Sequence, residues 1–431
     1  MVGKTIMLFD EFGRMQILDG MRYYKKTQEE NNMPRFVITM TEEIDRECLQ
    51  YAAKVAMQRF CVQRLVAEAD ESRFYLKQNL QEPVVHLDNG ERHIVCNEKN
   101  RGHMIWIGYK ECDIIVDFFH GVSDGIGMMP FMVLLLTSYC QKKYSNKIYE
   151  KTDLQSGGNE NEYTEAIRFL PEEPVVTEHS YRWKSALQLK GRQMKLKSGC
   201  HYYVLSVDGD AFDDYVTRNG SCRSAVFAMF MNQAIAGIHK VDTKPIVAAM
   251  AVNARKAYGA EETLQCCVAT IPLWYDREIA ELSVSERLKK GRAMVSEGVK
   301  KECVLWGAQK KRLLNQNLEA NYPTLEEKRA HCRRLTDSSS DRYTYGLSYL
   351  GNISFGEFAD AYVRDVRVML CANTVPLILE ILKWKGKYTI SYNTHLEEDR
   401  YLKELMVMFQ EAGITCNCVK QEMFEEALAD F

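Results

Sequence analysis

The sequence predicts an α+β fold built as two similar halves of about 200 residues each. Three observations predict it. Short runs rich in β-branched and aromatic residues recur along the whole chain. Helical periodicity separates some of these runs, while others sit close enough in sequence to pair as antiparallel neighbours. Between the two series lies a polar stretch, Lys151 to Glu162, with Gly, Ser, Asn and Glu and no apolar period. The chain has 431 residues, enough for two to three domains at roughly 150 residues each. The expected division is 1–175 and 176–431.

In the first half, a lead-in helix or loop precedes the strand Arg35 to Met40. Thr41 is the expected N-cap of a helix that carries Ile44, Cys48, Tyr51, Ala52, Val55 and Phe60 at helical spacing. Strands are expected at Arg64–Ala69, Arg73–Lys77, His93–Cys96, Met104–Tyr109 and Asp113–Phe119. A helix follows from about Gly127 to Tyr144. The second half repeats the plan. Its strands are expected at Tyr202–Val207, Pro245–Val252, Val268–Trp274, Tyr345–Leu350, Val363–Leu370, Pro376–Lys383 and Lys387–Tyr392. Its helices are expected at Phe212–Thr217, Ser224–Ile238, most of Val284–Leu318, and about Glu397 to Glu411.

Composition narrows the class. Apolar residues make up 46% and charged residues 27%, which excludes disorder, collagen and coiled coil for most of the chain. A formal net charge of −3 argues against a dedicated nucleic-acid binder. The 14 cysteines are scattered, with no CxxC and no His/Cys zinc spacing. They read as free thiols in a reducing cytoplasm, and no bound metal is expected. The longest nearly apolar run, Ile126 to Leu136, is too short to cross a bilayer. The start of the chain lacks the apolar core of a signal peptide.

One segment points to chemistry: Asp117-Phe118-Phe119-His120-Gly121-Val122-Ser123-Asp124-Gly125-Ile126-Gly127. An apolar strand ends on a histidine, and four residues later Asp-Gly opens a helix. H-x-x-x-D-G arises by chance in roughly 3 of 100 such chains, so the spacing alone is moderately specific. A strand-to-helix turn, however, projects side chains out of a sheet edge. An imidazole with an ordinary pKa of about 6.5 takes a proton near neutrality. Asp124 either caps the helix or orients the histidine's loop, directly or through a distant arginine. A second feature is basic: Arg182, Lys184, Lys190, Arg192, Lys195 and Lys197 lie in a stretch without acids. It is a candidate for phosphate binding, although such runs are more often solvated surface.

The segment from Met33 to Tyr139 resembles the acyltransferase superfamily of chloramphenicol acetyltransferase, peptide-synthetase condensation domains and plant acyl-CoA alcohol acyltransferases. Bacterial alcohol-acetyltransferase-like proteins are the branch it resembles most. The likeness rests on His120-Gly121-Val122-Ser123-Asp124-Gly125 and on Arg35-Phe36, Leu49 to Ala53, Arg59-Phe60, Phe131 and Tyr139. It continues in Ala251-Val252-Asn253-Ala254-Arg255 and in Leu347-Ser348-Tyr349-Leu350-Gly351-Asn352. Phe119 stands where many relatives have a second His, a departure shared by alcohol acyltransferases. Tyr349 stands where Asn is common.

The resemblance implies two chloramphenicol-acetyltransferase-like subdomains in a V with a tunnel between them. His120 would be the general base and no acyl-enzyme would form. The donor would be an acyl-CoA co-substrate, or a phosphopantetheine thioester on an acyl carrier protein. The acceptor would be a small hydroxyl or amine compound. Ser348 and Asn352 are candidate oxyanion donors, and Arg182, Lys184, Lys190 and Arg192 are candidates for the coenzyme A phosphates. Asp124 would pair with Arg255. A non-catalytic scaffold of the same fold is the alternative, and the joint presence of His120 and Asp124-Gly125 argues against it.

Overall fold

Most of the apolar runs fold into strands, and the strands collect into three sheets. The computed structural model describes residues 14–17, 20–25, 33–60, 62–90, 95–145, 160–175, 185–189, 200–241, 243–370 and 375–424. The strands are β1 (Arg14–Gln16), β2 (Arg35–Met40), β3 (Leu65–Ala69), β4 (Phe74–Gln78), β5 (Val85–Leu87), β6 (Ile105–Lys110), β7 (Asp113–Phe118) and β8 (Cys200–Asp208). They continue as β9 (Ile246–Asn253), β10 (Val268–Tyr275), β11 (Tyr345–Asn352), β12 (Val363–Met369), β13 (Leu377–Trp384), β14 (Lys387–Thr394) and β15 (Cys416–Phe424). A three-stranded sheet runs β1-β4-β3, a five-stranded sheet β12-β2-β7-β6-β5, and a seven-stranded sheet β10-β9-β11-β13-β14-β8-β15.

The five-stranded sheet is the platform for the histidine. All six residues of β2 are buried, because β12 and β7 pair with its two edges. The helices Arg46–Arg59 and Gly125–Ser145 contribute Leu49, Ala52, Met128, Phe131 and Leu135 to its core. Arg35 and Asp117 lie opposite each other across β2 and β7. Both are buried and joined bidentately, Nε to Oδ1 at 2.8 Å and Nη2 to Oδ2 at 2.7 Å. Such a fork matches guanidinium to carboxylate geometry. It anchors the end of β7 three residues before His120.

The seven-stranded sheet holds a second core on one face. The helices Gly209–Arg218, Arg223–Ile238 and Arg400–Glu411 supply Phe212, Phe227, Phe230 and Phe409. Phe212 and Phe227 stack at 4.3 Å. Along β13, residues alternate between the cores: Leu379 and Ile381 join the second, while Leu382 and Trp384 join the first. The two halves therefore share a packed seam. Strand pairing also crosses residue 175, because β12 of the second half completes the first half's sheet.

Several expectations shift. The helix after β2 is capped by Asp45, whose Oδ1 accepts from Cys48 N–H at 2.9 Å, and not by Thr41. Thr41 and Ile44 donate their backbone N–H groups to the Tyr362 and Glu111 carbonyl oxygens. His93 and Ile94 lie outside the described residues, and Val95–Cys96 is not a strand, with Cys96 at φ 68°. The long helix expected over Val284–Leu318 is two, Val284–Gly298 and Lys301–Asn321. The closing helix starts at Arg400. Strands β1, β5 and β15 and the helix Leu325–Ser339 were not read from the sequence.

Removing one partner of a desolvated pair strands the other charge. Asp117→Asn is expected to lower stability by about 3 kcal/mol in urea unfolding. The value is at the low end of that range because Asp88 remains 3.6 Å from the Arg35 guanidinium.

Candidate active site

His120 leaves the end of β7 and turns at once. Its Nδ1 lies 3.0 Å from the carbonyl oxygen of Ser123. A carbonyl only accepts, so Nδ1 carries the proton and donates it. Nε2 is then the unprotonated nitrogen, the one that can act as a base. Tyr23, from the short helix Met21–Lys25, steadies this turn: its hydroxyl donates to Gly121 O at 3.2 Å, and its ring meets Phe119 edge-on at 5.1 Å. Phe119 is buried.

The imidazole is half-buried, and its pKa is lowered to about 4. Desolvation is the main cause, the positive charge of Arg22 adds to it, and Asp124 opposes it. His120 is therefore neutral throughout the neutral pH range. Cys266 Sγ lies 3.7 Å from Nδ1. Because Nδ1 already holds a proton that it gives to Ser123, it has no lone pair with which to deprotonate that thiol. The arrangement is not a Cys–His nucleophile dyad.

Asp124 faces away from the imidazole and into the joint between the halves. Its Oδ1 accepts from Gly127 N–H at 2.8 Å and from Arg255 Nη2 at 3.1 Å, and its Oδ2 accepts from Cys267 N–H at 2.7 Å. It thus caps the helix Gly125–Ser145 and binds the arginine at the same time. The side chains of Asp124 and Arg255 are only 3% and 6% exposed, so the pair has little competition from water. Arg255 in turn donates to Thr263 O and Gln265 O, both at 2.8 Å. Ser123 Oγ donates to Leu264 O at 2.6 Å. The histidine loop is therefore sewn to residues 263–267.

The glycines of this loop are there for room. A Cβ on Gly125 would meet Leu350 of β11 at 2.5 Å, and one on Gly127 would meet the Leu264 carbonyl at 2.3 Å. Leu350 can rotate away, whereas the carbonyl belongs to the sewn segment.

His120, Asp124, Gly125, Arg255 and Ser348 line one cavity of about 340 Å³ between the halves. A narrower pocket of about 30 Å³ is lined by Gly121, Cys266, Cys267 and Lys311. Val268 borders both. Asn352 is not brought to the cavity. The β11–β13 register shifts between Tyr349 and Asn352, Gly351 takes φ +83°, and Asn352 emerges exposed. That geometry corrects its expected part as an oxyanion donor. Arg182, Lys184, Lys190 and Arg192, with Lys195 and Lys197, lie outside the described residues.

Sequence reading missed Glu380. It stands on β13 directly beside Ser348 of β11, lines the His120 cavity and is 6% exposed. Burial raises its pKa to about 7, against the opposing pull of a hydrogen bond with Ser348 and the field of His120. The available signal was a lone acid inside Pro376-Leu377-Ile378-Leu379-Glu380-Ile381-Leu382, where an apolar run has no structural use for it. Tyr23 and Arg22 left no comparable mark.

No protein-family model matches the sequence, and no curated protein does. Solved structures do. The epimerization domain from the third module of tyrocidine synthetase B aligns with TM-score 0.61 and 11% identity, over 93% of this chain and 95% of that one. TRI101 of F. sporotrichioides, determined with coenzyme A and T-2, aligns with TM-score 0.59 and 11% identity, over 92% and 98%. Trichothecene 15-O-acetyltransferase from Fusarium sporotrichioides aligns with TM-score 0.57 and 12% identity, over 93% and 94%. The chain has the fold of condensation-type domains and of these acetyltransferases, matched end to end at low identity.

Coupling across the joint is measurable. In a double-mutant cycle on unfolding free energy, Asp124→Asn and Arg255→Gln are expected to couple by more than about 1 kcal/mol. Gly127→Ala is expected to cost about 1–3 kcal/mol through forced displacement of the sewn segment.

Proposed function

We propose that the protein is an acyltransferase that moves an acyl group from a thioester to a small acceptor, with His120 as the general base. The observation that carries this reading is the tautomer: Nδ1–H is committed to Ser123, which leaves a neutral, basic Nε2 on a residue that lines a substrate-sized cavity. The acceptor would enter that cavity and give its proton to Nε2 as it attacks the thioester carbonyl. The imidazolium then returns the proton to the departing thiolate. Holding both reactants at one histidine would contribute through proximity.

Coenzyme A is the proposed donor, as TRI101 with its bound coenzyme A shares the fold. A phosphopantetheine thioester on a carrier protein presents the same chemistry to the same histidine. Ser348 is the proposed oxyanion donor, from its place on the cavity wall. Its hydroxyl is hydrogen-bonded with Glu380, so it would have to turn to serve. No oxyanion part is proposed for Asn352. A cytoplasmic location belongs to the proposal, supported by free thiols at all cysteines among the described residues. Among those residues, no helix is long and apolar enough to cross a membrane.

The test is free-thiol release and product mass on incubating the purified chain with a panel of acyl-CoAs and mixed small alcohols and amines. His120→Ala is expected to lower turnover by ~10²–10⁴-fold while leaving the fold intact. Absence of thiol release with every donor, including a carrier-bound thioester, would reject acyl transfer. The pH profile gives a second check. A lowered histidine pKa means the base form is lost only as pH falls through about 4. The His120-dependent limb of kcat/KM should therefore sit near 4.

A further inference from the structure

The cavity around His120 is lined by one acid that no cation among the described residues is paired with. Its walls are largely apolar, with Phe36, Ile126, Val252, Leu350 and Leu370 among them. Two acidic residues line it. Asp124 is fully engaged by Arg255 and two backbone N–H groups. Glu380 has Ser348 as its hydrogen-bond partner and, among the described residues, no cation paired with it. Across the strand pair, opposite Glu380 on β14, sits Ser391, wholly buried, its hydroxyl without a partner among the described residues. A carboxyl in such surroundings is costly to ionise and gives nothing to an apolar core. It is well placed to receive a cation brought by a ligand, since an opposite charge favours the ionised form.

We propose that the acceptor is a primary amine, which docks as an ammonium ion on Glu380 beside His120. This rests on the acyl-transfer reading and sharpens it. An ammonium ion has no lone pair and must lose a proton before it attacks. The Glu380 carboxylate accepts that first proton and becomes the carboxylic acid. The free amine then attacks the thioester carbonyl carbon. His120 Nε2 takes the second N–H proton as the C–N bond forms, and passes it to the sulfur as the C–S bond breaks. Glu380 returns its proton to solvent when product leaves. The sum is ammonium plus thioester giving amide, thiol and one proton. Glu380 thus bears on the reacting nitrogen.

The experiment compares amines and alcohols of matched skeleton, such as 2-phenylethylamine with 2-phenylethanol, across an aliphatic and aromatic series. Binding to the full chain is measured by calorimetry without donor, and transfer by thiol release with acetyl-CoA. The wild type is expected to favour the amine of each pair by about tenfold or more, because an ionic partner is selected far more sharply than shape. Glu380→Gln, close to isosteric, should bring the ratio towards one, and Glu380→Asp should preserve part of it. His120→Ala should abolish transfer yet keep amine-selective binding. Equal binding of both classes, no binding by any amine, or an undiminished amine preference in Glu380→Gln would overturn the proposal. Amine-selective binding that depends on Glu380, but without thiol release from any donor, supports the docking site and rejects the reaction.

Discussion

The structure depends on one desolvated carboxylate. Asp124 lies where the two halves meet, and the cost of taking its charge out of water is met by three donors from three places: its own helix, the Cys267 backbone and Arg255. None of these can be lost without stranding the charge, so the halves are held at a fixed distance at that point. The histidine loop is fixed with them, as is the wall of the cavity that Arg255 helps to line. A residue four positions from the imidazole therefore determines where the imidazole can be, although it faces away from it.

The cavity itself is governed by desolvation acting on two groups of opposite kind. Burial disfavours the charged form of each, so His120 is pushed down and Glu380 up. The cavity consequently approaches electrical neutrality around neutral pH: imidazole without its proton, carboxyl about half protonated. A neutral, mostly apolar chamber is easily entered by an acyl chain, yet it holds a proton acceptor and a latent anion side by side. Pairs of titratable groups driven apart in this way commonly divide acid and base duties between them.

What the sequence disclosed and what it hid follow physical lines. The strand-turn-helix around His120, the paired Arg255 segment and the main strands were legible because each is written in local residue order: apolar periods, a glycine-rich turn, a short motif. The partner of Asp124 was suggested by resemblance, since nothing in the spacing of residues 124 and 255 announces contact. Strand β15 was missed because Cys416-Asn417-Cys418-Val419-Lys420-Gln421 is polar and pairs on one side only, so packing demands little of it. The exposure of Asn352 depends on a register shift, which a side-chain pattern does not record. Glu380 was visible as an anomaly, but its meaning arises only when β11 and β13 run side by side and bring it next to Ser348.

The pairing of β12 with β2 has a consequence for how the chain must be made. Residues 363–369 form an edge of the sheet that carries His120, beside a strand synthesised more than three hundred residues earlier. Until they leave the ribosome, β2 presents an unpaired row of backbone donors and acceptors, flanked by apolar side chains. The first half of the nascent chain therefore cannot close its own sheet as it emerges, unlike a domain that folds as a unit during synthesis. Its completion waits for a contact of very long sequence separation, the kind that folds slowly and leaves intermediates open to aggregation. The same strand that gives the finished fold its continuity makes either half, expressed alone, an unfinished and adhesive object.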